Sequence, residues 1–461
     1  MKNRDQRRAL QWSRRLFDEA RGWLQPARVF LLLFVIVDLV GTFLLMLPSA
    51  VTRGEGLDFV QALFTATTAL SVCGLSVVSI GSDLSGFGHG ILLVLMQVGG
   101  MGIMTLAALL GTAVVHRFGL RMQLNVQAET HSLWVGDVPG LVRRVALIFL
   151  AVQSATFVLI TPRLWLAHGM EPGEALYSGL FHSISAFNNA GLSLYSDSLV
   201  RFSGDVFVLG PIALAVILGG IGFPVLIELW RRFRIPRVWS LHTKMTLAAS
   251  AVLLVFGCLG VTALEWDNPA TLGPLDRWGR IVDGFFHGVV PRSGGLNAVH
   301  VGEMEEATLL LTIMLMFVGG GSAGTAGGIK VATLAVLFFV VVAEVRSHDR
   351  VHVFRRQLPA SVIRQSLSLV FLSGTIVAFT TLLLLTTTTH HFLPVLFETV
   401  SAFGVVGLST GLTPHLPSWA QLVLVVLMVA GRIGPITFVT ALAMRDRHRR
   451  YGLAESRPII G

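Results

Sequence analysis

Four short stretches of this chain carry one theme. They are Ser-Val-Cys-Gly-Leu-Ser ending at Ser76, Asn-Asn-Ala-Gly-Leu-Ser ending at Ser193, Arg-Ser-Gly-Gly-Leu-Asn ending at Asn297, and Gly-Val-Val-Gly-Leu-Ser ending at Ser409. Each centres on one glycine, Gly74, Gly191, Gly295 or Gly407, and these recur at roughly equal intervals. Val72 and Cys73, Asn189 and Ala190, Ser293 and Gly294, and Val405 and Val406 lead into them. Four glycine-centred loops around one axis support one kind of chemistry above others, the holding of a passing cation by backbone carbonyls.

Two further features belong to the same passage. The residues Gly319, Gly320, Gly321, Ser322, Ala323, Gly324, Thr325, Ala326, Gly327 and Gly328, followed by Lys330, hold too many glycines for a helix, because each costs about 1 kcal/mol against alanine. A loop inside the membrane beneath the four glycines is expected there, placed as a gate. Arg432 stands in an otherwise apolar helix where the other repeats have Met101, Ile221 and Gly321. A mid-membrane arginine costs at least about 2.5 to 3.5 kcal/mol, so it is expected to face the axis, bond to loop carbonyls and repel the next ion. The motifs around it, Val98-Gly-Gly-Met-Gly102, Leu218-Gly-Gly-Ile-Gly222, Val318-Gly-Gly-Gly-Ser322 and Ala430-Gly-Arg-Ile-Gly434, also allow close helix packing.

The elements that must position these residues are membrane helices. Hydrophobic residues make up 53% of the chain and charged residues 13%, and the mean hydropathy is +0.72, which excludes an ordinary soluble domain. Runs near 28–49, 90–115, 143–162, 205–229, 243–264, 306–343, 366–388 and 419–443 reach the roughly 20 residues a span needs. Between the members of each pair lies a shorter segment, around 57–72, 174–187, 279–290 and 393–402, that ends at a glycine theme and reads as a re-entrant pore helix. The expected fold is therefore all-α, with eight transmembrane helices in four parallel helix, pore loop, helix repeats about a pseudo-fourfold axis. The divisions are a cytoplasmic segment 1–27, repeat 1 at 28–116, linker and repeat 2 at 117–232, repeat 3 at 233–345 with the gate loop 319–328, linker and repeat 4 at 346–444, and a tail 445–461.

Lys and Arg crowd the N-terminal tail and four segments between repeats or after the last, which puts both termini in the cytoplasm. The net charge of +9 is spread over these juxtamembrane segments, so topology explains it better than nucleic acid. Pore helices descending from outside aim the negative ends of their dipoles at the axis, which favours cations. Asp283, Glu398 and His182 fall in pore-helix segments and are read as packing or hydrogen bonding behind the loops. Asn188 and Asn189 either donate side-chain oxygen to the pathway or brace the loop, and Asp38, a lone acid in the first span, either pairs inside the bundle or faces the ion path. His390 and His391 read as interfacial, and Cys73 and Cys258 give no disulfide framework. Gly319, Gly321 and Gly324 match a dinucleotide-binding pattern only superficially, since they interrupt a membrane helix instead of following a strand. No cluster with catalytic or zinc-site spacing appears, so an enzyme is not expected. A secondary solute transporter, which usually shows inverted repeats, remains the alternative.

Four single filter glycines, the glycine-rich break in the sixth span and Gly-Arg-Ile-Gly-Pro in the last resemble the Trk/Ktr/HKT superfamily of potassium transporters, over nearly the whole chain. Eight spans make the chain similar to the KtrB-type membrane subunits. The resemblance implies K+ uptake by a homodimer in a prokaryotic plasma (inner) membrane, surrounded by membrane lipid. It also implies a KtrA-type cytosolic ring through which ATP or ADP acts, Na+ as an activator, and no covalent cofactor. Carried over residue by residue, the filter falls on Gly74, Gly191, Gly295 and Gly407 with the two residues before each, the gate on 319–328 with Lys330, and the pore arginine on Arg432. A glycine at the first position, here Gly74, accompanies K+ preference in that family. Gly294 stands where the pattern has alanine, which leaves Na+ permeation open.

Overall fold

The computed structural model describes residues 26–52, 54–117, 138–354 and 356–435. The expected N-terminal segment before residue 26, most of the first linker and the C-terminal tail lie outside them. Apart from one small antiparallel hairpin, β1 (His352–Val353) and β2 (Arg356–Gln357), the described chain has no named strands.

Each quarter repeats one order: a helix, a short helix and a second helix. Repeat 1 contains α1 (Pro26–Leu45), α2 (Phe59–Ser71) and α3 (Gly86–Arg117). Repeat 2 contains α4 (Val138–Leu166), α5 (Pro172–Asn188), α6 (Val206–Ile221) and its continuation α7 (Phe223–Arg232). Repeat 3 contains α8 (Leu241–Glu265), α9 (Arg277–Val289), α10 (Glu306–Phe317) and, after the glycine-rich break, α11 (Val331–Val345). Repeat 4 contains α12 (Ala360–Thr387), α13 (Phe392–Gly404) and α14 (Ser418–Ile433).

The short helices start and stop where local chemistry dictates. Asp58 caps α2 by accepting from the Val60 N–H at 3.4 Å, and Asp276 caps α9 by accepting from the Gly279 N–H at 2.9 Å. At 13 residues, α2, α9 and α13 each extend about 20 Å, too short for a hydrocarbon core of about 30 Å. Three of the four end in a left-handed residue: Val72 after α2, Asn189 after α5 and Val405 after α13. After α9 the chain makes one more turn and reaches the same conformation at Ser293, with φ 76°.

The repeats close into a ring. The second helix of each packs on the short helix of the next: α3 on α5, α6 on α9, α10 on α13, and α14 back on α2. Phe64, Phe187, Phe286 and Phe403 on the four short helices are buried in the resulting core. The exterior is apolar instead, with Ile36, Phe43, Val94, Leu150, Val252, Leu259, Phe371 and Phe379 exposed, a surface that suits lipid.

Among the described residues, three helices are long and apolar enough to cross a bilayer: Arg143–Leu166, Leu241–Glu265 and Ala360–Thr387. The pair α6 and α7 qualifies together as a fourth but bends by 100°. Three of the second helices break near their glycine motifs, at Gly222 with φ 103°, at the loop after Phe317, and at Gly434 with φ 95°.

Candidate functional site

The four theme glycines meet. A Cβ added to Gly74 would lie 2.7 Å from the Ala190 carbonyl oxygen and 3.0 Å from Gly191 Cα. One on Gly191 would lie 2.7 Å from Gly295 Cα, one on Gly295 2.5 Å from the Val406 oxygen, and one on Gly407 2.8 Å from Gly74 Cα and against the Cys73 oxygen. Contact thus runs from repeat 1 to 2, 3, 4 and back to 1. All four have positive φ, 107°, 65°, 69° and 94° in chain order. Two residues before each stands a non-glycine residue in the left-handed region, and for Val72 and Val405 that conformation is strained by the β-branch. The backbone therefore follows one unusual course four times, with the C-terminal ends of four short helices pointing at the ring.

Side chains behind the ring hold this course. Thr68 Oγ1 accepts from the Gly74 N–H at 2.9 Å and Ser401 Oγ accepts from the Gly407 N–H at 3.1 Å, while Ser185 Oγ donates to the Leu192 carbonyl at 2.7 Å. All three hydroxyls lie six residues before their theme glycine, a repeated signal that reading the sequence missed. Glu398 is fully buried and accepts from the Thr410 N–H and from the hydroxyls of Ser409, Thr410 and Thr413 at 2.5 to 3.1 Å. His182 lies 3.0 Å from Ser193 Oγ through Nε2. Both are where hydrogen bonding behind the loops was expected. Asp283 also hydrogen-bonds within the protein, accepting from Ser203 Oγ and the Gly204 N–H and so tying repeat 3 to repeat 2. In repeat 3 the loop is held by His287, whose Nε2 accepts from the Ala298 and Val299 N–H groups at 3.0 and 3.1 Å. That role shows only in three dimensions.

Asn188 and Asn189 separate clearly. Asn188 donates to Gln97 Oε1 at 2.7 Å and to the Ile184 carbonyl, so it braces α5 against α3. Asn189 is fully buried, and neither of its side-chain polar atoms has a partner among the described residues. Asp38 accepts from Thr67 Oγ1 on α2 at 2.8 Å, so it pairs inside the bundle. Cys73 and Cys258 are free thiols.

The glycine-rich break lies beneath the ring and touches repeats 2, 3 and 4. It docks on α6, where the Gly321 N–H donates to the Gly220 carbonyl at 2.7 Å and the Thr325 N–H to the Gly219 carbonyl at 3.2 Å. In return the Phe223 N–H donates to the Ala323 carbonyl at 3.1 Å. The Gly327 N–H donates to Ser293 Oγ at 3.3 Å, and a Cβ on Gly327 would lie 2.5 Å from the Cβ of Val405. Thr325 Oγ1 reaches the Phe187 carbonyl at 3.4 Å, and Lys330 Nζ donates back to the Ala326 carbonyl at 2.7 Å. Arg432 is buried and donates to the Thr325 carbonyl and to the Gly99 carbonyl, joining repeat 4, the loop and repeat 1.

The glycine motifs of the second helices serve packing at their first glycine. A Cβ on Gly99, Gly219 or Gly431 would run into the carbonyl of Leu70, Phe187 or Phe403, each four residues before the theme glycine. In repeat 3 the corresponding Gly319 meets Gly327 of the loop itself.

A family model described as TrkH, cation transport protein, matches residues 30–450. The "Ktr system potassium uptake protein B" of Bacillus subtilis is 38% identical over 432 residues, covering 93% of this chain and 96% of that protein. The protein of the same description from Vibrio alginolyticus is 38% identical over 431 residues, covering 92% of each. The crystal structure of the potassium transporter TrkH from Vibrio parahaemolyticus shares the fold at 18% identity, with a TM-score of 0.72 over 91% of this chain and 85% of that one.

Proposed function

Because the chain belongs to the TrkH family of cation transport proteins, we propose that it takes up K+ across a prokaryotic plasma membrane, as the KtrB-type subunit of a Ktr system, through the ring of Gly74, Gly191, Gly295 and Gly407. It is a multi-pass membrane transport protein and not an enzyme. The observation that carries the reading is the cyclic contact of the four glycines.

In this reading an ion entering the ring exchanges its hydration shell for carbonyls of the residues around the glycines, including Cys73, Ala190, Gly294 and Val406. The four helix C-termini favour a positive charge there and disfavour an anion. The loop 319–328 is the gate. Its hydrogen bonds to Gly219 and Gly220, and the bond from Arg432 to its Thr325 carbonyl, hold it across the pathway. Arg432 adds a fixed positive charge beneath the ring, which opposes the next cation. Uptake is controlled by a KtrA-type nucleotide-binding ring on the cytoplasmic side, the chain works as a homodimer, and Na+ is an activator. The Ktr-system names of the relatives support a partner subunit in general terms.

The test is K+ against Na+ flux into liposomes holding the purified chain, with and without a nucleotide-responsive ring subunit. K+-selective flux that changes with the ring is expected. Folded protein that passes neither ion under either condition would overturn the proposal.

A further inference from the structure

Beyond the ion pathway, the segment after the 100° bend between α6 and α7 carries a surface of unusual composition. Residues 230–238 are exposed without interruption, Trp230 at 66% and Phe233 at 72%. Ile235 and Val238 extend the same apolar set. Between these four stand the exposed arginines Arg231, Arg232, Arg234 and Arg237. The one acid of residues 223–244, Glu228, lies within electrostatic reach of Arg232 but directs its hydrogen bonds elsewhere. Its carboxylate accepts from the Ser240 N–H and from the hydroxyls of Ser240 and Thr243 at 2.5 to 2.9 Å, at the start of α8.

The surface is also held in shape. Phe223, Val225 and Ile227 bury the inner side of α7. Trp239 Nε1 and the Ile235 N–H both donate to the Arg232 carbonyl, at 3.0 and 3.1 Å, and Lys244 Nζ donates to the Arg237 carbonyl at 3.1 Å. The bend turns α7 away from the axis of α6, and four exposed arginines beyond it belong at the bilayer boundary instead of in its apolar core. Aromatic and aliphatic side chains there enter the boundary between headgroups and acyl chains, and arginines reach phosphate oxygens.

We propose that residues 230–238 form a docking surface for anionic phospholipid headgroups of the bilayer that holds the chain. Charge complementarity selects this occupant: four exposed arginines without an exposed acid fit a phosphodiester surface, and the interleaved apolar groups fit the acyl boundary beside it. An acidic soluble protein would match the arginines but not the interleaved Trp230, Phe233 and Ile235.

The experiment is native mass spectrometry of the full chain in detergent, titrated with phosphatidylglycerol against phosphatidylcholine. The wild type is expected to retain phosphatidylglycerol preferentially. The variant R232Q/R234Q/R237Q should lose about fivefold of that preference per arginine in contact, roughly a hundredfold if all three are. R232K/R234K/R237K should keep most of it, and R346Q/R350Q, which removes exposed charge from another loop, should leave it unchanged. An unaltered preference in the monodisperse glutamine variant, or an equal loss in R346Q/R350Q, would overturn the proposal. So would a wild type that shows no preference but holds an acidic cytosolic subunit that the glutamine variant releases, which would assign the surface to a protein.

Discussion

Arg432 bridges three parts of the molecule, so its removal tests how the loop is held. Its guanidinium donates to the Thr325 carbonyl on the loop and the Gly99 carbonyl on α3. A hydrogen bond from a charged donor contributes about 1.5 to 3 kcal/mol net. Gly99 lies inside a helix, where its carbonyl retains its main-chain partner, so most of the change falls on Thr325. Arg432→Ala should therefore move the balance between docked and withdrawn loop by about 1.5 to 3 kcal/mol, roughly 10- to 150-fold. The assay is K+ flux into liposomes at equal protein abundance without a regulatory partner. Flux should rise by up to this factor, capped by the rate of the fully open pathway. Two companions divide the effect. Arg432→Gln can still donate to one carbonyl and should give a smaller rise, while Arg432→Lys keeps the charge but not the two-armed bridge and should fall between glutamine and wild type. Wild-type or lower flux from a monodisperse Arg432→Ala protein would refute both the latch and the electrostatic barrier.

Gly431→Ala puts a methyl group into the Phe403 carbonyl at the end of α13 and should destabilise the protein by about 1 to 3 kcal/mol, seen as a lower Tm in detergent; an unchanged Tm would mean that α14 does not need this close approach. Ser401→Ala leaves the buried Gly407 N–H without its acceptor, a cost of about 1 to 3 kcal/mol, and should narrow the preference for K+ over Na+ in a competition assay, whereas an identical competition curve would remove Ser401 from the support of the ring. Asp205, at the start of α6, is pushed up by burial, but hydrogen bonds from His168 and Arg163 outweigh this and hold its carboxyl below the ordinary value of 3.8. Its contribution is therefore present above about pH 4 and lost as the pH falls through the folded value, so Asp205→Asn should lower Tm at pH 7 and flatten its decline in acid, and a parallel acid decline in both proteins would contradict this.

Sequence alone determined the parts whose cause is local. A glycine at a positive φ is required by the backbone at its own position, so Gly74, Gly191, Gly295 and Gly407 were legible as one motif repeated four times. The density of glycines in 319–328 likewise excluded a continuous helix, and a lone Arg432 in an apolar run demanded polar partners inside the bundle. The hydroxyls of Thr68, Ser185 and Ser401 share one spacing from their glycines and were legible too, had the repeats been aligned beyond the themes themselves.

Tertiary structure alone decided which partners those residues found. Arg432 and Gly99 are 333 positions apart, and they meet only because the fourth repeat closes on the first through α14 and α2. His287, on α9, braces the third loop at Ala298 and Val299, while Asp283 on the same helix binds Ser203 and Gly204 of repeat 2. Asn188 and Asn189 are adjacent and chemically identical, yet one faces Gln97 and the other faces Gly219 and Gly220. Backbone conformation is set within a few residues, whereas a buried side chain's partner depends on how helices from distant repeats pack, and no short window of sequence carries that.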